Sequence, residues 1–432
     1  MLRQNILGGL LCFFVAQSMA QDLKQTYQQV LTSDPRLLID SLGVQIGTAR
    51  EKQSFGALLP QVTIAGNATS NTRRSETRPV DQYSGQRYSF SIQQTLFDMQ
   101  KFRAWQRSKV VLGQFELQLK DTEAAVRLDT IMRYFALLEA KDTLALITEE
   151  KRAVEEKKNQ TDALYQRQLV KVTELYEIKA RLDMLVAEEV SAMQQVALAR
   201  EGLRELTQEP VVKIVSLNQE VKLPEQNKQV DEYVSELVNK SPALMSIRES
   251  VKAAKMNLHQ QKAGYYPVVA LQLSKQKSDI GFDNSSTGIT DTEVLGLTLT
   301  VPIFSGGVAS GRVDEARHQL AISKASYDQE HRKAVKGLKD ELLQVKTLGR
   351  RIAATREAVE SARKSYEAED ESFKLLISTQ SDVLDAQQIY LQAKRGFQQA
   401  LYDYVMSWAK LEYRLGSLTD QSIEQINEWL KP

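Results

Sequence analysis

Two hydrophobic periods divide the chain. Over most of its length apolar residues recur at helical spacing; in four short stretches they alternate with polar ones. The clearest helical stripe runs through Val383, Tyr390, Phe397, Tyr404 and Leu411, beside a stripe of small residues at Ala386, Ala393 and Ala400. A second strict heptad passes through Leu338, Val345, Ile352, Val359, Tyr366 and Phe373. A seven-residue period marks helices that supercoil left-handed around neighbours, and alanine lets a neighbouring backbone come close. Proline is absent between Pro79 and Pro210 and between Pro302 and Pro432. Within these gaps the pattern predicts long helices over 101–165 and 308–373, each roughly 100 Å at 1.5 Å per residue. The pattern breaks near 168–171 and 376–380, where a turn and a returning helix are expected; a short terminal helix is expected over 420–430.

Strict alternation appears at Val62 and Ile64, then at Tyr88, Phe90, Ile92 and Leu96. It returns at Val269, Leu271 and Leu273, and at Leu295, Leu297, Leu299, Val301 and Ile303. Period two predicts strands with one apolar and one polar face. The segments between them, 71–86 and 278–291, are polar and rich in turn formers, and are expected as loops. Helices over 23–58 and 230–263 precede each strand pair, broken at Asp34-Pro35 and Ser241-Pro242.

The plan occurs twice. Pro35 and Pro242 are 207 residues apart, as are Pro60 and Pro267, Phe97 and Phe304, and Leu169 and Leu376. Beyond the turn the offset is 208, pairing Glu174 with Asp382 and Glu177 with Asp385. Two long copies read as a fused duplication rather than a solenoid. The expected domains are a signal peptide over 1–20, a first repeat over 21–228, and a second repeat with a C-terminal segment over 229–432.

The N-terminus has the form of a secretory signal: Arg3, an apolar run from Ile6 to Ala16, and a small-x-small cleavage site at Ser18-Met19-Ala20. The single cysteine, Cys12, lies in that run, so the mature chain is expected to use no thiol chemistry. Removing Arg3 leaves acids and bases balanced, which gives no electrostatic case for nucleic acid. No later apolar run approaches the ~20 residues of a membrane helix. Entry into a membrane would therefore be as a β-barrel. Four strands cannot close one, since small barrels need about eight. The strands must then close with copies from other chains, eight from two or twelve from three. Aromatics grouped near the strand ends suit a membrane interface: Tyr83, Tyr88, Phe97, Tyr265, Tyr266, Phe282 and Phe304. A soluble periplasmic coiled-coil structural or adaptor protein is the competing reading.

The duplication, the strand-to-helix junctions Leu96–Asp98 and Val301–Gly307, the run from Asp382 to Tyr404 and the Leu415–Thr419 segment together resemble the TolC family of outer-membrane efflux and secretion channels. The resemblance spans essentially the whole mature chain. It implies a mostly α fold with a small β part, in a homotrimer whose twelve strands form one outer-membrane barrel continuous with a periplasmic α-helical barrel. It further implies a passive, non-enzymatic duct in contact with outer-membrane lipid. The duct would serve a periplasmic adaptor (membrane fusion) protein and an inner-membrane transporter of ABC or RND type, with no cofactor. In the family, acids at the inner end of the tunnel ring the constriction; those positions correspond to Asp382 and Asp385, and the matching turn of the first repeat carries Glu174. Close like charges attract cations and raise some carboxyl pKa values, so a cation-selective gate is expected.

The chain departs from the family at the hairpin tips. Where a glycine is usual it has Gln168 and Leu376, and where a tyrosine and an arginine latch the closed state it has Phe373 and Ser378. Leu169, Val170, Leu376 and Ile377 make the tips apolar, a candidate adaptor-docking surface with Gln168. The loops 73–86 and 279–292 are candidate surface-recognition segments. His259, His318 and His331 have no ligand spacing and read as helical surface residues. The mixed run Glu149–Lys158 reads as a solvent-facing surface.

Overall fold

A computed structural model describes residues 21–209, 214–218, 220–221, 223–224, 226–279, 289–375 and 377–430. Residues 1–20 with Cys12, and the positions of Phe282 and Leu376, lie outside the described residues. The elements in chain order are α1 (Leu23–Ser33), α2 (Pro35–Gly56), β1 (Gln61–Ser75), β2 (Arg78–Phe97), α3 (Met99–Gln166) and α4 (Val172–Thr207). The same sequence of elements then recurs: α5 (Val230–Lys240), α6 (Pro242–Lys262), β3 (Val268–Asp279), β4 (Thr290–Thr300), α7 (Val308–Lys374) and α8 (Gln380–Leu415), followed by α9 (Asp420–Glu428). The chain divides into two compact units: unit 1 is 1–35, 124–230 and 338–432, and unit 2 is 36–123 and 231–337.

In unit 1 the predicted stripes form the core. Val383, Phe397, Tyr404 and Leu411 of α8 are buried, as are Leu338, Val345 and Ile352 of α7, while Val359, Tyr366 and Phe373 are only half-buried. Tyr366 and Tyr390, on the facing stripes, stack with ring centroids 6.1 Å apart. The bulkiest buried side chains, Tyr134 and Phe135, come from α3. Tyr134 donates its hydroxyl proton to the Gln21 carbonyl at 3.1 Å and accepts from the Val215 N–H at 3.1 Å. That bond fixes the irregular segment that bridges to Gln21 and Leu430. Helix α1 starts at a capping box, where the Asp22 carboxylate accepts from Gln25 N–H at 2.7 Å, and it stops before Pro35. A proline disfavours helical backbone at the preceding residue, which explains the break.

In unit 2, Gly47 of α2 lets α3 approach closely. A Cβ there would lie 3.0 Å from Phe115 and 3.1 Å from Leu112. Trp105 packs against Phe55 with ring centroids 5.4 Å apart and donates to Glu51 at 2.6 Å. Helices α6 and α7 meet through Leu258, Val313 and Ala316.

The four strands form an antiparallel meander in the order β1-β2-β3-β4. The register pairs Val62 with Ile92 and Ile64 with Phe90, then Ile92 with Leu273, and Leu273 with Leu295. Directly opposed residues share a face, so these side chains, with Leu271, Leu297 and Leu299, make one apolar band across the sheet. The other face is small and polar: Thr63, Ser91, Gln93, Gln272 and Thr298. The apolar band is left open, with Ile64 80% and Leu295 74% exposed. Farther along the same face the band gives way to charge, where Lys275 pairs with Glu293 at 2.6 Å.

Three sequence expectations need correction. The segment 71–86 is not a loop: β1 and β2 stay paired from Asn71↔Tyr83 to Ser75↔Arg78, leaving only a tight turn. Its polarity marks strand beyond the apolar band, held by the backbone ladder rather than by burial. For 278–291, β3 reaches Asp279 and β4 begins at Thr290, and 280–288 lie outside the described residues. Val301 and Ile303 do not extend β4, which ends at Thr300; Pro302 has no N–H to give a ladder. Finally, Glu149–Lys158 is not a uniformly solvated face. Glu150 is 3% and Val154 2% exposed, because Glu150 is paired with arginines of α4 and α8 and Val154 packs with Ile178 and Leu185.

Candidate constriction and hairpin tips

The turns of the hairpins α3–α4 and α7–α8 and the helix starts that follow them hold the candidate residues. Helix α8 opens with a capping box in which Asp382 is a working member. Its carboxylate accepts from Thr379 N–H at 2.8 Å and from the Thr379 hydroxyl at 2.6 Å, while Asp382 N–H donates back to Thr379 Oγ1 at 3.3 Å. These Thr379 hydrogen bonds hold the exposed Asp382 carboxyl below its ordinary range. Asp385, one turn later, is exposed. Glu174, in the first turn of α4, is half-buried. Asp385 and Glu174 line one cavity of about 160 Å³, together with Glu177; Asp382 is not among its lining residues. Two of the three predicted acids are thus brought together within one chain, and the third serves locally as a cap.

At the tips, Gln168 has φ 61°. Leu169 N–H donates to the Leu164 carbonyl at 3.0 Å and Gln168 N–H to the Tyr165 carbonyl at 2.8 Å. This is the Schellman arrangement, whose left-handed position glycine normally fills. Sequence comparison within the chain shows the same feature at the far end of the returning helix. Gln208 closes α4 at φ 59°, and 208 residues later Gly416 closes α8 at φ 73°. Gln168→Gly is expected to stabilise the tip by about 1 kcal/mol, the cost of left-handed backbone for a residue with a Cβ. Slower hydrogen exchange at the amides of 164–170 in the variant is the check. Leu169 (66% exposed) and Ile377 (77%) project into solvent, and Val170 is half-buried. Leu376 lies outside the described residues.

At the positions where the family's latch is expected, Phe373 lies under Lys157, whose ammonium is 5.1 Å from the ring centre. Lys157 also pairs with Asp370 at 3.2 Å. Ser378 donates to the Glu369 carbonyl at 3.2 Å. The Lys157 contacts tie α3 to the end of α7, and Ser378 ties the turn back onto α7, without a tyrosine or arginine at those positions.

The residue that sequence reading missed is Glu150. It emerges from α3 and accepts from Arg181 of α4 and, at 2.5 Å, from Arg395 of α8. One buried carboxylate therefore joins three helices. Beside it Lys151 pairs with Glu189 at 2.6 Å. The available signal was positional: Glu150 lies one turn from Val154 and from Ile147, both buried, so it shares the apolar face of α3.

Long helical hairpins with an acid-bearing turn, in one chain with an antiparallel sheet whose apolar band is exposed, define the class: a mostly helical outer-membrane protein with a small β-sheet. The family described as outer membrane efflux protein matches residues 233–417. The chain is 26% identical over 432 residues to outer membrane protein TolC of Salmonella enteritidis, covering 98% of this chain and 88% of that protein. It is 24% identical over 433 residues to the alkaline protease secretion protein AprF of Pseudomonas aeruginosa, covering 98% and 90%. Among solved structures, the Campylobacter jejuni CmeC outer membrane channel superposes with a TM-score of 0.80 at 17% identity, over 95% of this chain and 90% of that one. Residues 233–417 thus match the outer membrane efflux protein family, the chain is similar over nearly its whole length to TolC, and its place in the cell is the outer membrane.

Proposed function

We propose that the chain is one of three identical subunits of a passive export duct, without enzymatic activity. The observation that carries this reading is the open sheet. Among the described residues β1 and β4 each have one hydrogen-bonded neighbour, and the apolar band between them is exposed. Unpaired strand edges are not tolerated in lipid, so the sheet must close on further copies. Three copies give a twelve-stranded barrel with the apolar band towards lipid and the small polar face towards the lumen. Exposed apolar residues of the helices, such as Ile39, Ile46, Val190 and Met193, then find neighbours in a periplasmic helical barrel. The repeats 21–228 and 229–432 would each supply two strands and one long hairpin.

The duct would receive small molecules or polypeptides from an inner-membrane transporter of ABC or RND type through a periplasmic adaptor. Gln168, Leu169, Val170, Leu376 and Ile377 are its docking tips, and Asp382, Asp385 and Glu174 its constriction. The exposure of Leu169 and Ile377 supports the first assignment. Leu169→Glu with Ile377→Glu is expected to abolish export while leaving the assembly and its outer-membrane location intact. Unchanged export in cells carrying the double variant would remove the docking assignment.

The duct itself is tested on protein extracted from outer membranes. Light scattering with detergent subtraction should give the mass of three chains, and planar bilayers should show discrete conductance. Recovery as a soluble periplasmic protein without conductance would favour the structural coiled-coil alternative.

A further inference from the structure

The two repeats treat the joint between helices and sheet differently. In the first, where α2 ends and α3 begins, Trp105 lies against Phe55 and Phe102, with ring centroids 5.4 and 5.8 Å apart, and the three rings fill the joint. At the offset of 207 the same three positions of the second repeat are Lys262, Ala309 and Arg312. The aromatic plug is gone, and a cavity of about 260 Å³ stands at that joint. Its wall includes Gln261 and Tyr265 from the end of α6, Ile303 and Phe304 from the approach to α7, Arg312 from the second turn of α7, and Gln100 of α3. All of it lies in unit 2. One water needs about 10–15 Å³ of such space, so the cavity admits a ligand of many heavy atoms.

The wall has a basic end and an apolar end. Among the described residues Arg312 has no hydrogen-bond or ion-pair partner, and Glu315, which shares a smaller adjoining cavity with it, forms no ion pair with it. The surroundings are basic as well. Burial, and then the positive charges of Arg103, Lys255 and Lys262, hold the His259 imidazole below its ordinary pKa, two residues before Gln261. At the apolar end Ile303 is 93% and Phe304 89% exposed, and they follow Leu297, Leu299 and Val301, which are exposed too and lead back into the apolar band. The half-exposed ring of Tyr265 suits the border between lipid and water. An anionic amphiphile matches both ends at once. A free anion leaves the apolar wall in water, and an uncharged one leaves the guanidinium without a counter-charge.

We infer that this cavity holds one anionic phospholipid, with its phosphate on Arg312, its glycerol oxygens against Gln261 and Gln100, and an acyl chain laid over Tyr265, Ile303 and Phe304. A guanidinium suits the phosphate because it offers two parallel N–H bonds. The lipid closes in the second repeat the joint that Trp105 and its neighbours close in the first. The inference shares with the proposed function only the contact of the apolar band with lipid, and it requires neither three copies nor a conducting duct.

The test is native mass spectrometry of the purified full-length protein, delipidated in neutral detergent and titrated with dioleoylphosphatidylglycerol. Dioleoylphosphatidylcholine, which has the same chains and phosphate but no net charge, and inorganic phosphate serve as comparators. The expected result is one phosphatidylglycerol retained per chain, with phosphatidylcholine about tenfold weaker and inorganic phosphate displacing neither. Arg312→Gln, at an exposed position, should bring phosphatidylglycerol down to about the level of phosphatidylcholine, the effect of losing one charge-assisted contact. Ala309→Phe, which restores the ring that the first repeat has at Phe102, should abolish retention of both lipids. If Ala309→Phe fails to fold, the Arg312→Gln comparison carries the test alone. Equal retention of the two lipids would overturn the site, as would retention unchanged by Arg312→Gln. Displacement by inorganic phosphate would overturn it too, leaving only an adventitious anion contact. Single chains that still retain the lipid would count against the proposed trimer and support this site.

Discussion

Replacing Asp382 and Asp385 together by asparagine is expected to remove the cation preference of the duct, bringing the cation-to-anion permeability ratio in a salt gradient to about one. In the proposed trimer these residues place six carboxylates near one axis, and among the described residues no basic side chain is seen paired with either. The double variant should keep its shape, because asparagine at 382 retains an acceptor oxygen for the Thr379 N–H and Thr379 still caps the helix. The pH dependence separates two accounts of the charge. Thr379 holds the Asp382 carboxyl below its ordinary range. For a depressed carboxyl the charged form, and the cap it makes, is present above the unfolded value and is lost only as pH falls through the lower folded value. If capping governs, wild-type selectivity persists below about pH 3.9, the ordinary aspartate value. If repulsion among the six carboxylates governs, protons bind earlier and selectivity fades at a higher pH. A reversal potential unchanged by the double substitution would move the constriction away from these residues.

The helical part of the fold was legible because its signals are local. The stripe through Val383 and Leu411 and the breaks at Pro35 and Pro242 each depend on neighbours within a few turns, and the helix ends fall within two or three residues of their expected places. Strand length was not legible beyond the apolar band, since the far parts of β1 and β2 are held by backbone pairing and leave no periodic trace in side-chain polarity. At the candidate site the acids were visible as types, but their grouping was not. Glu150 looked like one member of a charge run, and its partners are 31 and 245 residues away in sequence. The left-handed residues gave a mixed lesson. The departure from glycine at Gln168 was readable from the family pattern, whereas Gln208 became evident only when α4 was seen to end where α8 does, at Gly416.

Glu150→Ala should be the most destabilising single change at the hairpins, by about 3 kcal/mol, the lower end for breaking a buried ion pair. The lower end applies because Arg181 and Arg395 keep 23% and 33% of their side chains exposed and recover part of their hydration, whereas Glu150 keeps 3%. Glu150→Gln should lose roughly half as much, since the amide preserves the packing and one acceptor but not the charge. The check is thermal unfolding in matched detergent, with hydrogen exchange reporting whether protection falls in α3, α4 and α8 together. The informative companion is the triple variant Glu150→Leu, Arg181→Met, Arg395→Met. Apolar replacement of a whole buried charge group is often neutral or stabilising, because the desolvation of all three charges disappears with them. Recovery of wild-type stability by the triple variant would show that the triad contributes little net stability. It would also show that the loss in Glu150→Ala comes from two arginines left without their carboxylate. A triple variant as unstable as Glu150→Ala would instead mean that the geometry joining α3, α4 and α8 depends on the charges themselves. The junction at the start of the returning helices would then be set by charge and not by packing, and the hairpins could be separated by neutralising one side chain.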